Sequence, residues 1–212
     1  MDVKGGDIPP AGRGRQAERS EATRAALIDA ARELFARRGY AGVGTEEIVR
    51  SARVTRGALY HHFASKEDLF RAVFEQLEAE LTTRIAAVAA SADDPYLALG
   101  AGAEAFLDAC LDPAVQRITL LDAPAVLGWQ QWREIGARYG LGLVRDGLQA
   151  AMDQGLIARQ PVEPLAHVML GALDEAAMLV AQSGDEGRTR EEVGRIVGRL
   201  LTSLRAPDEG GD

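Results

Sequence analysis

An all-α fold of about nine helices is predicted, and three observations predict it. No segment of the 212 residues shows the strict apolar/polar alternation of a half-buried strand. Apolar residues instead recur every three or four positions through most of the chain. Between the periodic stretches stand helix stops and starts: a glycine after the last apolar residue, then Asp-Pro or a Ser/Thr-led cap before the next. The length leaves room for one large or two small domains with a real core.

In chain order, residues 1–19 mix Gly, Pro and charge without apolar periodicity and are expected to be a disordered arm. Lys4, Arg13, Arg15 and Arg19 could reach phosphates or an adjacent minor groove, and a tail without a role explains them equally. From Ser20 the spacing of Leu27, Ala31, Leu34 and Phe35 predicts a first helix, stopped at Gly39, with Arg24 near its start as a candidate phosphate contact.

The next stretch, Thr45 to Lys66, reads as a helix-turn-helix. Ile48, Val49 and Ala52 give one short helix an inward stripe, and Ala58, Leu59 and Phe63 give the following one another. Only Arg53, Val54 and Thr55 connect them, a length that sets two helices at a steep angle, with Val54 plugging the elbow. Thr55, Arg56, Gly57, Tyr60 and His61 are left outside on the second helix. This face of donors and one aromatic needs no burial and suits a major groove.

Ser65-Lys66-Glu67-Asp68 has capping-box spacing and opens a long helix whose stripe runs from Leu69 to Val88. Asp94-Pro95 and Asp112-Pro113 each pair an N-cap with a first-turn proline, predicting helices at about 95–111 and 113–122. Pro124 is expected to break the next segment. A helix carrying Trp129, Trp132, Ile135, Tyr139, Leu143, Leu148 and Met152 then runs to a Gly155-Leu156 stop. Another opens at Pro161 or Pro164 and ends at Gly184. The last is expected behind a Thr189 to Glu192 capping box and closes at Pro207. The expected division is therefore an arm at 1–19, a helix-turn-helix domain at 20–66, a helical domain at 67–206 and a tail at 207–212.

The formal charge of −8 is unevenly placed. Residues 1–66 hold 12 Lys/Arg against 8 Asp/Glu, and residues 67–212 hold 12 against 24. Basic charge sits with the helix-turn-helix, and an acidic remainder would orient the approach to DNA. Cys110 is the single cysteine, which excludes an intramolecular disulfide and fits a reducing compartment. The N-terminus lacks a signal pattern, and no run approaches the roughly 20 apolar residues that span a bilayer, so a cytoplasmic protein with no membrane partner is expected.

The helix-turn-helix resembles that of the tetracycline-repressor (TetR) family of bacterial transcriptional regulators. The resemblance is carried by Phe35-Ala-Arg-Arg-Gly39-Tyr40, by Gly44-Thr45 with Ile48, by Val54 through Phe63, and by Ser65-Lys66-Glu67-Asp68-Leu69, about a sixth of the chain. It departs at Arg53, where the family usually has Gly. If the turn keeps its usual backbone, a residue with a side chain there costs on the order of 1 kcal/mol, unless Arg53 adds a phosphate contact.

The DNA-facing set follows from chemistry and resemblance together. Thr45 offers a hydroxyl and free amides to a phosphate. Arg56 donates to a guanine edge or to phosphate, and Gly57 lets the backbones come close. Tyr60 and His61 resemble the family's contacts to phosphate and thymine methyl, and Lys66 its phosphate clamp. Arg24 and Thr55 complete the set. For Tyr60, packing on the fourth helix is the other reading. His62 either faces DNA or caps the three-helix core.

Relatives in that family bind small effectors in the C-terminal helical domain. Trp129, Trp132 and Tyr139 share one helix face, and Phe106, Cys110 and His167 are candidates for the same cavity wall, although core packing explains each alone. No cofactor is expected. His61, His62 and His167 with one cysteine make no metal-ligand pairing, no serine stands in a nucleophile motif, and Leu99-Gly100-Ala101-Gly102 lacks the strand, spacing and Lys of a phosphate loop. The chain is thus expected not to be an enzyme. The expected function is a sequence-specific repressor, homodimeric on operator DNA and released by a small hydrophobic or aromatic effector. A DNA-binding protein without an effector, or an all-α enzyme fused to a DNA-binding module, are the alternatives.

Overall fold

The computed structural model describes residues 11–206, which form nine helices and a single isolated bridge between Ile157 and Arg205. The first three helices are α1 (Ala11–Arg38), α2 (Thr45–Ser51) and α3 (Arg56–His62). α4 (Lys66–Ala89) follows, then α5 (Pro95–Ala109). α6 spans 113–127, where a π-helical segment, Gln116–Asp122, joins the α-helical Pro113–Val115 and Ala123–Leu127. The chain ends in α7 (Trp129–Asp153), α8 (Val162–Gln182) and α9 (Glu186–Ser203).

Three boundaries differ from expectation. α1 starts at Ala11, nine residues inside the stretch expected as an arm; Gln16, Ala17, Glu18 and Arg19 are good helix formers, so the helix extends outward without an apolar stripe. Residues 1–10, and Lys4 with them, lie outside the described residues, as does the 207–212 tail. α9 starts at Glu186 rather than at Thr189. Asp185 caps it by accepting from the Arg188 amide at 3.2 Å, one turn ahead of the Thr189 box.

Pro124 does not end its helix. In a π-helical turn the proline nitrogen would face the Thr119 carbonyl five residues back, and it has no proton to give. The Trp132 indole Nε1 supplies the missing donor to that carbonyl at 2.9 Å. The wide turn and the tryptophan thus let the chain pass a proline without an orphaned acceptor.

Two large hydrophobic clusters organise the fold. One joins Leu27, Ala31 and Phe35 of α1 to Ile48, Leu59 and Phe63 of the helix-turn-helix and to Leu69, Phe70, Val73 and Phe74 of α4. It continues to Ile118, Trp132 and Ile135, so the DNA-binding unit and the start of the C-terminal domain share a core. The second joins Leu107, Leu148, Met152, Met169, Val180, Val197 and Leu201 of α5, α7, α8 and α9. α8 is long and apolar enough, at a mean hydropathy of 1.3 in its best window, to cross a membrane. Its Ala166, Met169, Leu173 and Val180 are instead buried in this core, and it carries Glu163, Asp174 and Glu175.

Candidate nucleic-acid interface and cavity

The helix-turn-helix is built by local rules. α2 ends at Ser51 with Ala52 as its C-cap, and Arg53 follows with φ of 56°, the one non-glycine residue at positive φ among those described. The turn therefore keeps the left-handed step that suits glycine, and Arg53 carries its steric cost. Val54 turns inward against the core as expected. Thr55 caps α3, its Oγ1 accepting from the Ala58 amide at 3.2 Å, and buried Leu59 and Phe63 anchor the helix from below.

The opposite face of α3 has almost no internal use. Thr55, Arg56, Gly57 and His61 are exposed, and Tyr60 is 44% exposed rather than packed on α4. Arg56 lies over the Tyr60 ring at 5.6 Å and 3.5 Å from Glu46, interactions weak enough in water to be exchanged for a phosphate or a base. A Cβ at Gly57 would meet only Thr55 Oγ1 at 3.9 Å, so nothing inside the protein demands glycine there. Thr45 is half-buried at the first position of α2, and exposed Arg24 lies 5.5 Å over the Phe63 ring. His62 is half-buried, edge-on to His61 and tilted against Phe63.

Lys66, expected as a phosphate clamp, also has partners inside the protein. Its Nζ donates to the Tyr40 carbonyl at 2.7 Å and sits 3.9 Å from the Tyr40 ring centre. Burial lowers its pKa, and the charge of Asp122 works the other way. Asp122 in turn accepts from the Tyr40 amide at 2.6 Å and lies 3.5 Å from Arg117. At Gly39, with φ of 71°, any Cβ would collide with the Arg117 guanidinium. Gly39 and Tyr40 thus clip the DNA-binding unit to the π-helical segment of α6. Single-residue patterns gave no signal of this joint, because its partners lie 82 residues apart in sequence.

A cavity of about 500 Å³ lies between α4, α5, α7 and α8. Its wall is mainly aliphatic, with Leu81, Ile85, Leu99, Leu143, Val144, Met169 and Leu173, and Phe106 is its one aromatic. A small recess shares Leu81, Phe106 and Gly136 with this cavity and is lined beyond them by Cys110, Thr119, Trp132 and Arg133. Of the six residues expected here, Phe106 lines both spaces, and Cys110 and Trp132 line only the recess. Trp132 has already committed its N–H to Thr119, and burial pushes the Cys110 thiol up, out of the reactive range.

The other three lie elsewhere. Trp129 is 52% exposed and rests tilted on Trp132. Tyr139 packs at the edge of the N-terminal core, and His167 is exposed. The expectation that these aromatic residues wall the cavity is corrected accordingly. Helical spacing placed Trp129, Trp132 and Tyr139 on one face, but Trp132 and Tyr139 meet the α1/α4 core while Trp129 stays exposed, and the cavity lies along the next face of α7, at Gly136, Gly140, Leu143 and Gly147.

Missed entirely were Glu78 and Asp174, which line both the cavity and the recess. Burial, helped by the charge of Asp174, pushes Glu78 up to about 8. Burial likewise raises Asp174 to about 6 against the pull of Arg133. The available signal was an acidic residue inside an apolar stripe: Glu78 sits between Leu77 and Leu81, and Asp174 follows Leu173.

Residues 27–73 match the family pattern described as "Bacterial regulatory proteins, tetR family", and residues 96–204 match "Tetracyclin repressor-like, C-terminal domain". The chain is 31% identical over 160 residues to the transposon Tn10 TetC protein of Escherichia coli, covering 74% of this chain and 79% of that one. A TetR-family transcriptional regulator from Pectobacterium atrosepticum is similar in structure, with a TM-score of 0.81 and 33% identity over 90% of this chain and 97% of the other. RolR, solved with the ligand resorcinol, shares the fold at a TM-score of 0.68 and 23% identity, covering 92% of this chain and 100% of that one. An exposed polar recognition helix on a three-helix core, joined by one long helix to a helical domain, and sequence matches to both halves make this chain a DNA-binding transcriptional regulator of the TetR family.

Proposed function

We propose that the protein is a cytoplasmic, homodimeric repressor that leaves its operator when a small, largely apolar effector enters the cavity. The observation that carries this reading is the course of α4. Its first turns, Leu69, Phe70 and Val73, are fully buried against the DNA-binding unit, and 12 to 16 residues on, Leu81 and Ile85 wall the cavity. At about 1.5 Å per residue the helix spans about 36 Å, so a small tilt at the cavity end moves α3 by several Å. A ligand shifts DNA affinity only by its differential affinity for the two positions of that helix.

Assembly as a homodimer is supported by α8 and α9. Val168, Leu179, Ile196 and Leu200 are between 44% and 67% exposed, a row of large apolar side chains that a second copy would cover. Two α3 helices about one DNA turn apart would then read a near-palindromic site. The regulated DNA is found by footprinting the protein upstream of its own and neighbouring genes. Release of that fragment by a compound that also changes tryptophan fluorescence at the same concentration is the expected result. A protein that binds the fragment with an affinity no cavity ligand alters would instead be a DNA-binding protein without an effector. A monomeric mass in light scattering at micromolar concentration would remove the dimer.

A further inference from the structure

The cavity is polar at one end only. Glu78 from α4 and Asp174 from α8 stand where the main chamber meets the recess, and neither has an ion-pair partner among the described residues. Thr119 is buried at 5% exposure, and its Oγ1 has no hydrogen-bond partner in that recess. Its carbonyl is taken by Trp132, so the hydroxyl is the part of Thr119 left free for a guest. Arg133 is the one cation at the recess wall, and it is exposed at its residue surface. Two half-buried acidic side chains and a free hydroxyl thus stand beside a chamber of aliphatic walls, and the one cation near them, Arg133, acts on Asp174 without forming an ion pair.

Resting on the reading of this cavity as the effector site, we propose that it takes an amphiphilic monocation, with the apolar body in the main chamber and a protonated amine in the recess between Glu78, Asp174 and Thr119. An ammonium donates up to three hydrogen bonds, which the oxygens of Glu78, Asp174 and Thr119 can accept. It also supplies a positive charge that favours the ionised form of both acids. A carboxylate-headed guest would bring its negative charge against Asp174 and oppose ionisation of Glu78, and binds less well than the amine. A neutral alcohol satisfies hydrogen bonds but leaves the charge unpaired, and binds more weakly.

Three probes with one eight-carbon body separate these cases: octylamine, 1-octanol and octanoate, titrated at pH 7 by calorimetry and tryptophan fluorescence. Octylamine is expected to bind about tenfold or more tighter than octanol, a factor typical of one good charged hydrogen bond, and octanoate weakest. In Glu78→Gln and in Asp174→Asn the amine should lose most of that advantage while octanol affinity stays within about threefold, since the chamber is intact. Equal affinity for amine and alcohol, preference for octanoate, or no octylamine binding up to millimolar concentration each overturn the proposal. Release of the footprinted DNA is followed in parallel. Amine-selective binding without release keeps the ligand class and removes the effector reading; release by octanol as readily as by octylamine does the reverse.

Discussion

The recognition face and the cavity are both left unfinished by the fold, but in opposite senses. On α3, polar groups point to water around a helix held by Leu59 and Phe63; each stays hydrated, so the unoccupied face costs nothing. In the cavity, Glu78 and Asp174 are half-buried beside aliphatic walls, and their partial loss of water raises both pKa values, a cost in stability until something fills the space. The first region gains affinity by meeting a large, highly charged surface. The second gains it by relieving a local defect. The proposed release from DNA by a small molecule needs both kinds, with a stiff connection between them.

Breaking that connection should have the largest effect. Phe70 is fully buried, with ring centres 5.3 Å from Phe35 and 5.1 Å from Tyr40, at the start of α4. Phe70→Ala is expected to cost about 3–5 kcal/mol of folding stability, read as a lowered denaturant midpoint for the whole chain rather than for one part. Loss of cooperativity, with one half melting alone, would show that the shared core does not couple the regions.

On the recognition face the expected effect is smaller and confined to DNA. Arg56→Ala and Tyr60→Ala should each weaken specific binding by about 1–3 kcal/mol, with unchanged circular dichroism and unchanged ligand titrations. Unaltered affinity in both variants would take α3 off the DNA. Lys66→Ala sharpens the point. If Lys66 meets a phosphate despite its bond to Tyr40, the salt slope falls by about one unit; a slope left unchanged with a lowered melting temperature assigns it to the joint alone.

In the cavity the sign is reversed. Glu78 has a raised folded-state pKa, so the folded protein holds this proton at pH values where the unfolded chain has lost it. Its contribution therefore weakens stability progressively as pH rises from the ordinary carboxylate range towards about 8. Glu78→Gln removes that penalty. It should raise the melting temperature by a few degrees near pH 8, at about 2–4 °C per kcal/mol for a chain of this size, and by little near pH 4. An equal gain at both pH values would show that the carboxylate is hydrated rather than desolvated.

The smallest effect is expected at the turn. Arg53→Gly relieves a left-handed residue but loosens the unfolded chain, so stability should rise by no more than about 1 kcal/mol. If operator affinity drops at the same time, Arg53 is kept as a phosphate contact.

Much of the fold was legible because its signals are local. The Arg53–Val54–Thr55 turn, the Ser65 cap that accepts from Asp68 at 3.0 Å, the prolines at 95 and 113 and the positive φ of Gly155 each act within a few residues. The misplaced boundaries came from competition between local signals, as where Asp185 caps ahead of Thr189. Pro124 was misjudged for another reason: the donor that makes it tolerable, Trp132, sits on the next helix.

What the sequence by itself determined is the set of helices, their inward stripes and the recognition face, because a residue's side of a helix follows from its spacing and a short turn fixes which helices meet. The tertiary structure decided where empty space remained. A cavity is the gap left when four helices pack, so its wall takes whichever face each helix turns to it: Phe106 entered, Tyr139 and His167 did not, and Glu78 and Asp174 came together from positions 96 residues apart. The joint of Tyr40, Lys66 and Asp122 was decided the same way. Periodicity says which side of a helix is buried, but only packing says what it is buried against.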